Sequence, residues 1–247
     1  MTWNNFKDKA KKIDDVDIPR IGHIIGVRED EIHAVLDVEA GGKWFDKSGR
    51  PKMLFEPHIF YRQLGPGAKR DRAVKAGLAR KRWKRDYPRD SYPRLRNAMS
   101  IDEEAALKSC SWGGPQIMGF NHKAAGYKNV QDMVRDFMED AEFHLEGMVK
   151  FISKSDRMVK ALQRISKLTR PSEPADWIDF AEPYNGRGFR KNRYHIKLAE
   201  RHGWWRKKPD TPWSPNDPVP DPPREGRPEL NWIETLLESL LKLFFKR

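Results

Sequence analysis

The feature that most constrains this chain is a run of eight prolines between positions 209 and 228. A residue with a fixed φ and no amide proton cannot sit inside a helix or a paired strand, and few apolar residues accompany these. The stretch therefore reads as a semi-rigid, extended linker. The globular body must lie within residues 1–208, leaving residues 229–247 as a separate module. There Leu230, Ile233, Leu236, Leu237, Leu240, Leu241 and Phe244 make an apolar stripe, while Glu234, Glu238 and Lys242 line another face. That pattern is one amphipathic helix.

Within the body, apolar residues recur mainly at helical spacing. In 27–42, Ile32, Val35, Leu36 and Val38 form one face, Glu29, Asp30 and Glu31 crowd the first turn, and Gly41-Gly42 stops the helix. Residues 44–55 hold an Asp46-Lys47-Ser48-Gly49 turn between apolar stretches and read as a short hairpin leading into Glu56. Helical pattern resumes from Tyr92 through 101–111, then as one long amphipathic helix over 129–152, with shorter ones at 158–168, 174–182 and 194–202. The expected architecture is mainly α, a helical globule with little strand. It carries one short β-hairpin, and the linker and terminal helix follow.

Composition excludes several classes. There are 48 basic and 36 acidic residues, a net charge of +12, and ten Lys or Arg fall within 69–89 alongside Trp83 and Tyr87. That segment reads as an exposed basic excursion that draws the protein towards polyanions. Cys110 is the single cysteine, so neither an intramolecular disulfide nor a cysteine-based metal site can form. His58, His122, His195 and His202 lack the His-x-x-x-His spacing of a metal pair, so neither metal nor cofactor is expected. The N-terminus lacks the apolar stretch of a secretory signal, and no run of ~18 apolar residues is present to span a membrane. Synthesis in a host cytoplasm, with delivery through a pore or by lysis, is the expectation.

Glu39 is the residue best placed for acid chemistry. It ends a half-apolar helix, where burial and the negative end of the helix dipole both favour its protonated form, and the glycines after it admit a bulky polymer. Cleaving a glycosidic bond needs such a carboxylic acid in a partly apolar cleft.

Three ordered motifs make the chemistry specific: Val38-Glu39-Ala40-Gly41-Gly42, Ser111-Trp112-Gly113-Gly114-Pro115-Gln116-Ile117-Met118-Gly119-Phe120-Asn121, and Tyr184-Asn185-Gly186-Arg187-Gly188-Phe189. Together with Lys52-Met53-Leu54-Phe55-Glu56-Pro57-His58-Ile59-Phe60-Tyr61 and Asn192-Arg193-Tyr194-His195-Ile196-Lys197-Leu198-Ala199, they resemble the N-acetylmuramidase family of phage endolysins. That family is similar in turn to goose-type lysozymes and lytic transglycosylases, so the resemblance implies a mainly α, lysozyme-like α+β fold with the short β-hairpin beside the active-site cleft. The resemblance covers roughly residues 20–203. It implies a peptidoglycan hydrolase cleaving the β-1,4 bond between N-acetylmuramic acid and N-acetylglucosamine, with Glu39 as general acid. The sequence departs from the family pattern at Gly114-Pro115, at Pro57 and at Arg187.

The remaining site expectations follow from side-chain chemistry. Gln116 and Asn121 suit acetamido groups, Trp112 and Tyr184 can pack on sugar faces, and Asn185 can hydrogen-bond near the acid. Glu56 is the first candidate for a second carboxylate because it follows the hairpin returning towards Glu39, and Asp46, at the turn, is the second. The expected partner is bacterial peptidoglycan, met by a monomer acting in the periplasm or at the wall. The basic stretch and terminal helix are expected to touch an anionic envelope surface or membrane. A lytic transglycosylase and a non-catalytic wall-binding or nucleic-acid-binding protein are the alternatives, and no recognised nucleic-acid motif accompanies the charge.

Overall fold

The computed structural model describes residues 3–217. The greater part of the linker and the whole of the expected terminal helix fall outside the described residues. After a short 3-10 turn at Asn4–Phe6, helix α1 spans Asp17–Ile24 and α2 spans Glu29–Ala40. Strand β1 (Met53–Phe55) leads into α3 (Pro57–Leu64) and α4 (Ala68–Lys75), then α5 (Tyr92–Met99) and α6 (Glu103–Lys108). Strands β2 (Cys110–Trp112) and β3 (Ile117–Met118) follow, then α7 (Val130–Glu139), α8 (Ala141–Ser153), α9 (Asp156–Ser166), α10 (Ile178–Asn185) and α11 (Tyr194–Trp205).

Helix α8 is the hub. Residues from Ala141 to Val149 are all buried, and a helix covered on every side belongs at the centre of a bundle. The expected single helix over 129–152 is instead two, broken at Asp140, whose backbone is extended at φ −150° and ψ 137°. Lys11 causes the break: its N–H donates to Glu139 O and its carbonyl accepts from Ala141 N, so both groups leave the helical ladder. The Asp140 carboxylate then caps α8 by accepting from Glu142 N at 2.9 Å.

The sheet is antiparallel, in order β1-β2-β3, with Met53 opposite Trp112 and Phe55 opposite Cys110. Its β2-β3 hairpin lies within the Ser111-to-Asn121 motif, and the helix expected through residue 111 ends at Lys108. The reason is packing. Leu107 O accepts from the Trp112 indole, and Cys110 begins a strand whose three residues are all buried. The hairpin expected at 44–55 is present as a small closed loop, with Lys52 N donating to Trp44 O and Asp46 N to Arg50 O.

Residues 69–89 are less of an excursion than their charge suggests. They begin in α4 and bury Ala73, Leu78 and Ala79, and Tyr87 reaches back to Glu56. Charge set the surface, while three small or apolar residues still anchor the segment.

Candidate active site

Glu39 sits in the last turn of α2, half-buried, with Gly41 closing the helix in the left-handed region at φ 59°. Burial pushes its carboxyl up to about 7 against an ordinary value of 4.5. Two groups oppose that shift. The Tyr194 hydroxyl, at the start of α11, donates to Glu39 Oε1 at 2.5 Å, and the Lys197 ammonium one turn further along acts on the same carboxyl. No second carboxylate is among the groups that set it. Oε2 receives no protein donor among the described residues.

The surroundings of Tyr194 are built by aromatic stacking and by a glycine turn. Tyr184 of α10 lies against Tyr194 with ring centroids 6.4 Å apart, and its hydroxyl donates to Pro115 O at 3.1 Å. This contact joins α10 and α11 to the β2-β3 turn. The turn approaches its neighbours so closely that only glycine fits. A Cβ on Gly113 would lie 2.4 Å from His144 Nδ1, and one on Gly114 would lie 2.5 Å from Trp44 Cε3. The departure from family pattern at Gly114 therefore has a physical cause: the Trp44 ring occupies the volume a side chain would need.

His144 fixes the turn from beneath. It is fully buried on α8, its Nδ1 accepts from Gly114 N at 3.2 Å, and its Nε2 donates to Phe137 O at 2.6 Å. Burial holds its pKa down to about 3, so the ring is a neutral spacer across the working range.

The other expected residues divide by environment. Asn185 is exposed at the end of α10 and Asn121 is half-buried, and neither amide is bonded within the described protein. Gln116 is turned inward. Held at φ 51°, it donates to Gly113 O at 2.6 Å and accepts from Ser111 Oγ at 2.9 Å, bracing the hairpin. Trp112 must be corrected: at 0% exposure it lies in the core against Phe6 and Tyr92, and no sugar can reach it. Asp46 closes its own loop, accepting from Ser48 N, Arg50 N and Arg50 Nε, with the Arg50 guanidinium paired to it. Its oxygens are committed to the turn.

Glu56 shares no hydrogen bond with Glu39, and neither carboxyl is among the groups that shift the other. It caps the start of α3 at the far end of β1, where Glu56 N donates to Ser109 O, whereas the turn that meets Tyr184 is held at Lys52. There Glu56 Oε2 accepts from Tyr87 Oη at 2.8 Å and lies 3.2 Å from His58 Nδ1. Burial raises its pKa, and the Tyr87 bond and the Arg80 and Arg62 charges resist that shift.

Residues missed at the sequence level are Tyr194, Lys197, Trp44 and His144. Tyr194 and Lys197 share one face of α11 at i, i+3 spacing, but nothing local says that face meets a helix 155 residues away. Among the described residues no cluster of three or more His, Cys, Asp or Glu is arranged to hold a metal ion.

A carboxylic acid raised by burial at the end of α2, on a mainly helical fold with one small antiparallel sheet, has the make-up of a lysozyme-type glycoside hydrolase. A family model, N-acetylmuramidase, matches residues 28–206, and the chain belongs to that family. It is a peptidoglycan hydrolase of endolysin type. The crystal structure of a Burkholderia AP3 phage endolysin is similar to it, at 32% sequence identity and a TM-score of 0.67 over 82% of this chain and 74% of that one. No curated protein matches.

Proposed function

We propose that this chain hydrolyses the β-1,4 bond between N-acetylmuramic acid and N-acetylglucosamine, with Glu39 as general acid. The observation that carries the reading is the Glu39 carboxyl itself, held near 7 by burial at the end of α2. At pH 7 about half the molecules carry the proton, against about 0.3% for an ordinary glutamic acid, a gain of about 150-fold. Tyr194 occupies Oε1, which leaves Oε2 to present the proton to the leaving glycosidic oxygen. As that bond breaks, the carboxylate left behind is stabilised by the Tyr194 hydroxyl and the Lys197 charge. It then takes a proton from the water that attacks the anomeric carbon, which restores the acid. Asn185 and Asn121 are the open amides available to acetamido groups, and Tyr184 shapes the floor.

The exposed part of the basic segment, with Trp83 58% exposed and Arg82, Lys84 and Arg85 around it, is our candidate contact for an anionic envelope surface. The test of the chemistry is mass analysis of muropeptides released from purified peptidoglycan. Wild type should give soluble products with reducing ends, and Glu39→Gln should lower the rate by about 10²- to 10⁴-fold. Anhydro products would move the chain to transglycosylase chemistry, and undiminished release by Glu39→Gln would remove Glu39 from the reaction.

A further inference from the structure

Five consecutive residues, Lys81-Arg82-Trp83-Lys84-Arg85, put four cations around one indole. All five are exposed, and Trp83, at 58%, is the most exposed large apolar side chain among the described residues. They lie between α4 and α5, in a stretch without helix or strand.

Hydrogen bonds close this stretch into a ring. The Arg80 guanidinium pairs with the Asp86 carboxylate and donates to Lys84 O at 3.2 Å, and Asp86 N donates to the same carbonyl at 3.1 Å. The ring is fastened to the body beneath it. Trp83 Nε1 donates to Tyr87 Oη at 2.9 Å, that hydroxyl donates to Glu56 Oε2 at 2.8 Å, and Arg80 N donates to Pro57 O at 3.3 Å. The tip is therefore set in advance, and a ligand that meets it is spared the ordering cost of a loose loop.

The acids close to the tip in sequence are already engaged. Asp86 is held by Arg80, with the Lys84 charge also acting on it, and Asp90 accepts from Arg50 Nη2 and from Tyr92 N. Lys81, Arg82, Lys84 and Arg85 form no salt bridge among the described residues. Four cations are thus left pointing outward around an apolar ring, and like charges crowded in this way favour the approach of an anionic surface.

The chemistry of the tip narrows its ligand. Lys and Arg side chains only donate hydrogen bonds, and the indole has spent its one N–H on Tyr87, so what it presents is an apolar ring. A neutral sugar needs acceptors as well as donors, and a soluble polyphosphate has nothing to cover the ring. An anionic bilayer matches both halves: its phosphate oxygens accept from the cations, and the ring enters the apolar layer just below them. We propose that the 81–85 tip docks on a bilayer of anionic phospholipid, with Trp83 inserted at the headgroup level and the four cations on the phosphates. This names the partner of the envelope contact given above and rests on that reading, and it is independent of the role of Glu39.

The experiment uses the full chain and flotation with vesicles of phosphatidylglycerol and phosphatidylcholine in equal parts, set against pure phosphatidylcholine vesicles and against soluble sodium polyphosphate. Wild type should bind the mixed vesicles, and lipids brominated on the acyl chain should quench its tryptophan fluorescence. A cation near an anionic surface is worth about fivefold in binding, so Arg82→Gln/Arg85→Gln should bind about 25-fold more weakly. Trp83→Ala should lose about tenfold. Trp83→Phe keeps an apolar ring, so it should keep the binding while losing much of the quenching. Equal vesicle binding by wild type and the double variant, or undiminished quenching in Trp83→Phe, overturns the proposal. Binding to polyphosphate with none to the mixed vesicles also overturns it and leaves an anionic contact in place, whereas binding to neither removes the envelope contact itself. Glu39→Gln should bind the vesicles as wild type does, so failure of the acid is scored separately by muropeptide release.

Discussion

Replacing Glu39 with Gln should abolish cleavage and stabilise the protein, and the stabilisation should appear only above the ordinary pKa of a carboxyl. The folded-state pKa, about 7, lies above the unfolded value of about 4.5. Between those values the native state binds more protons than the unfolded one, so stability falls as pH rises from 4.5 to 7 and stays reduced beyond. The loss is about 2.5 units times 1.36 kcal/mol, or about 3 kcal/mol at pH 8, and close to zero at pH 4. Gln is nearly isosteric with the protonated acid, still accepts from Tyr194 at Oε1, and carries no charge to desolvate. Urea unfolding of wild type and variant at pH 4 and pH 8 isolates the effect, because every other titrating group cancels in the difference between the two proteins. The variant should gain about 2–3 kcal/mol on wild type at pH 8 relative to pH 4, which in a body of this size is a shift of about 5–10 °C in Tm. An equal difference at both pH values would show that the carboxyl is not destabilised by burial, and the argument for its role would fail.

Three further outcomes follow from the same geometry. Tyr194→Phe removes a donor from the Glu39 carboxylate, which raises the acid further. The alkaline limb of kcat/KM should move up by about one pH unit, and an unmoved limb would separate Tyr194 from the acid. Glu56→Gln should keep cleavage within about threefold of wild type while lowering stability by about 1 kcal/mol through weakened bonds to Tyr87 and His58, measured by muropeptide release and thermal melting. A thousandfold loss would put Glu56 among the reacting groups. Gly114→Ala forces a Cβ to 2.5 Å from the Trp44 ring, so it should cost about 1–3 kcal/mol and alter tryptophan fluorescence, and a neutral result would mean that the loop yields freely.

Sequence legibility followed the range of the interactions involved. Helix α2 and its acid were readable because periodicity, the acidic first turn and the terminal glycines all act within a dozen residues. The break at Asp140 was not, because Lys11, 129 positions away, supplies the hydrogen bonds that divert the helix. Strand β2 hid in a helical pattern for a related reason. Cys110, Ser111 and Trp112 are all buried, and a short strand covered on both faces shows no alternation to betray it. Motif resemblance found the right neighbourhood for Trp112 and Gln116 but could not tell a residue that touches sugar from one that shapes the turn beside it. Tyr194 lay in a quoted motif and was still passed over, since its role depends on which face of α11 meets α2.

The two ends of α2 show how one residue type serves two purposes. At the N-terminus Glu31 is buried with its needs met: Oε2 accepts from Arg28 N at 3.0 Å, and Oε1 lies 2.8 Å from His202 Nε2. Trp177 Nε1 donates to Ser172 Oγ, whose hydroxyl donates to His202 Nδ1, and this leaves Nε2–H for Glu31. Every atom in that chain has a partner, and it ties α2 to α11 and to the turn before α10. Nearby, Glu29 Oε1 accepts from Thr211 N at 2.7 Å, which pins the start of the proline-rich stretch on the same helix end. Eight residues on from Glu31, Glu39 has one donor, the unfavourable end of the dipole and a second oxygen with no protein donor among the described residues. A rigid attachment at one end permits an unsatisfied carboxyl at the other, because α2 cannot shift to relieve it. The satisfied network is therefore part of the acid's environment, acting through about 12 Å of helix.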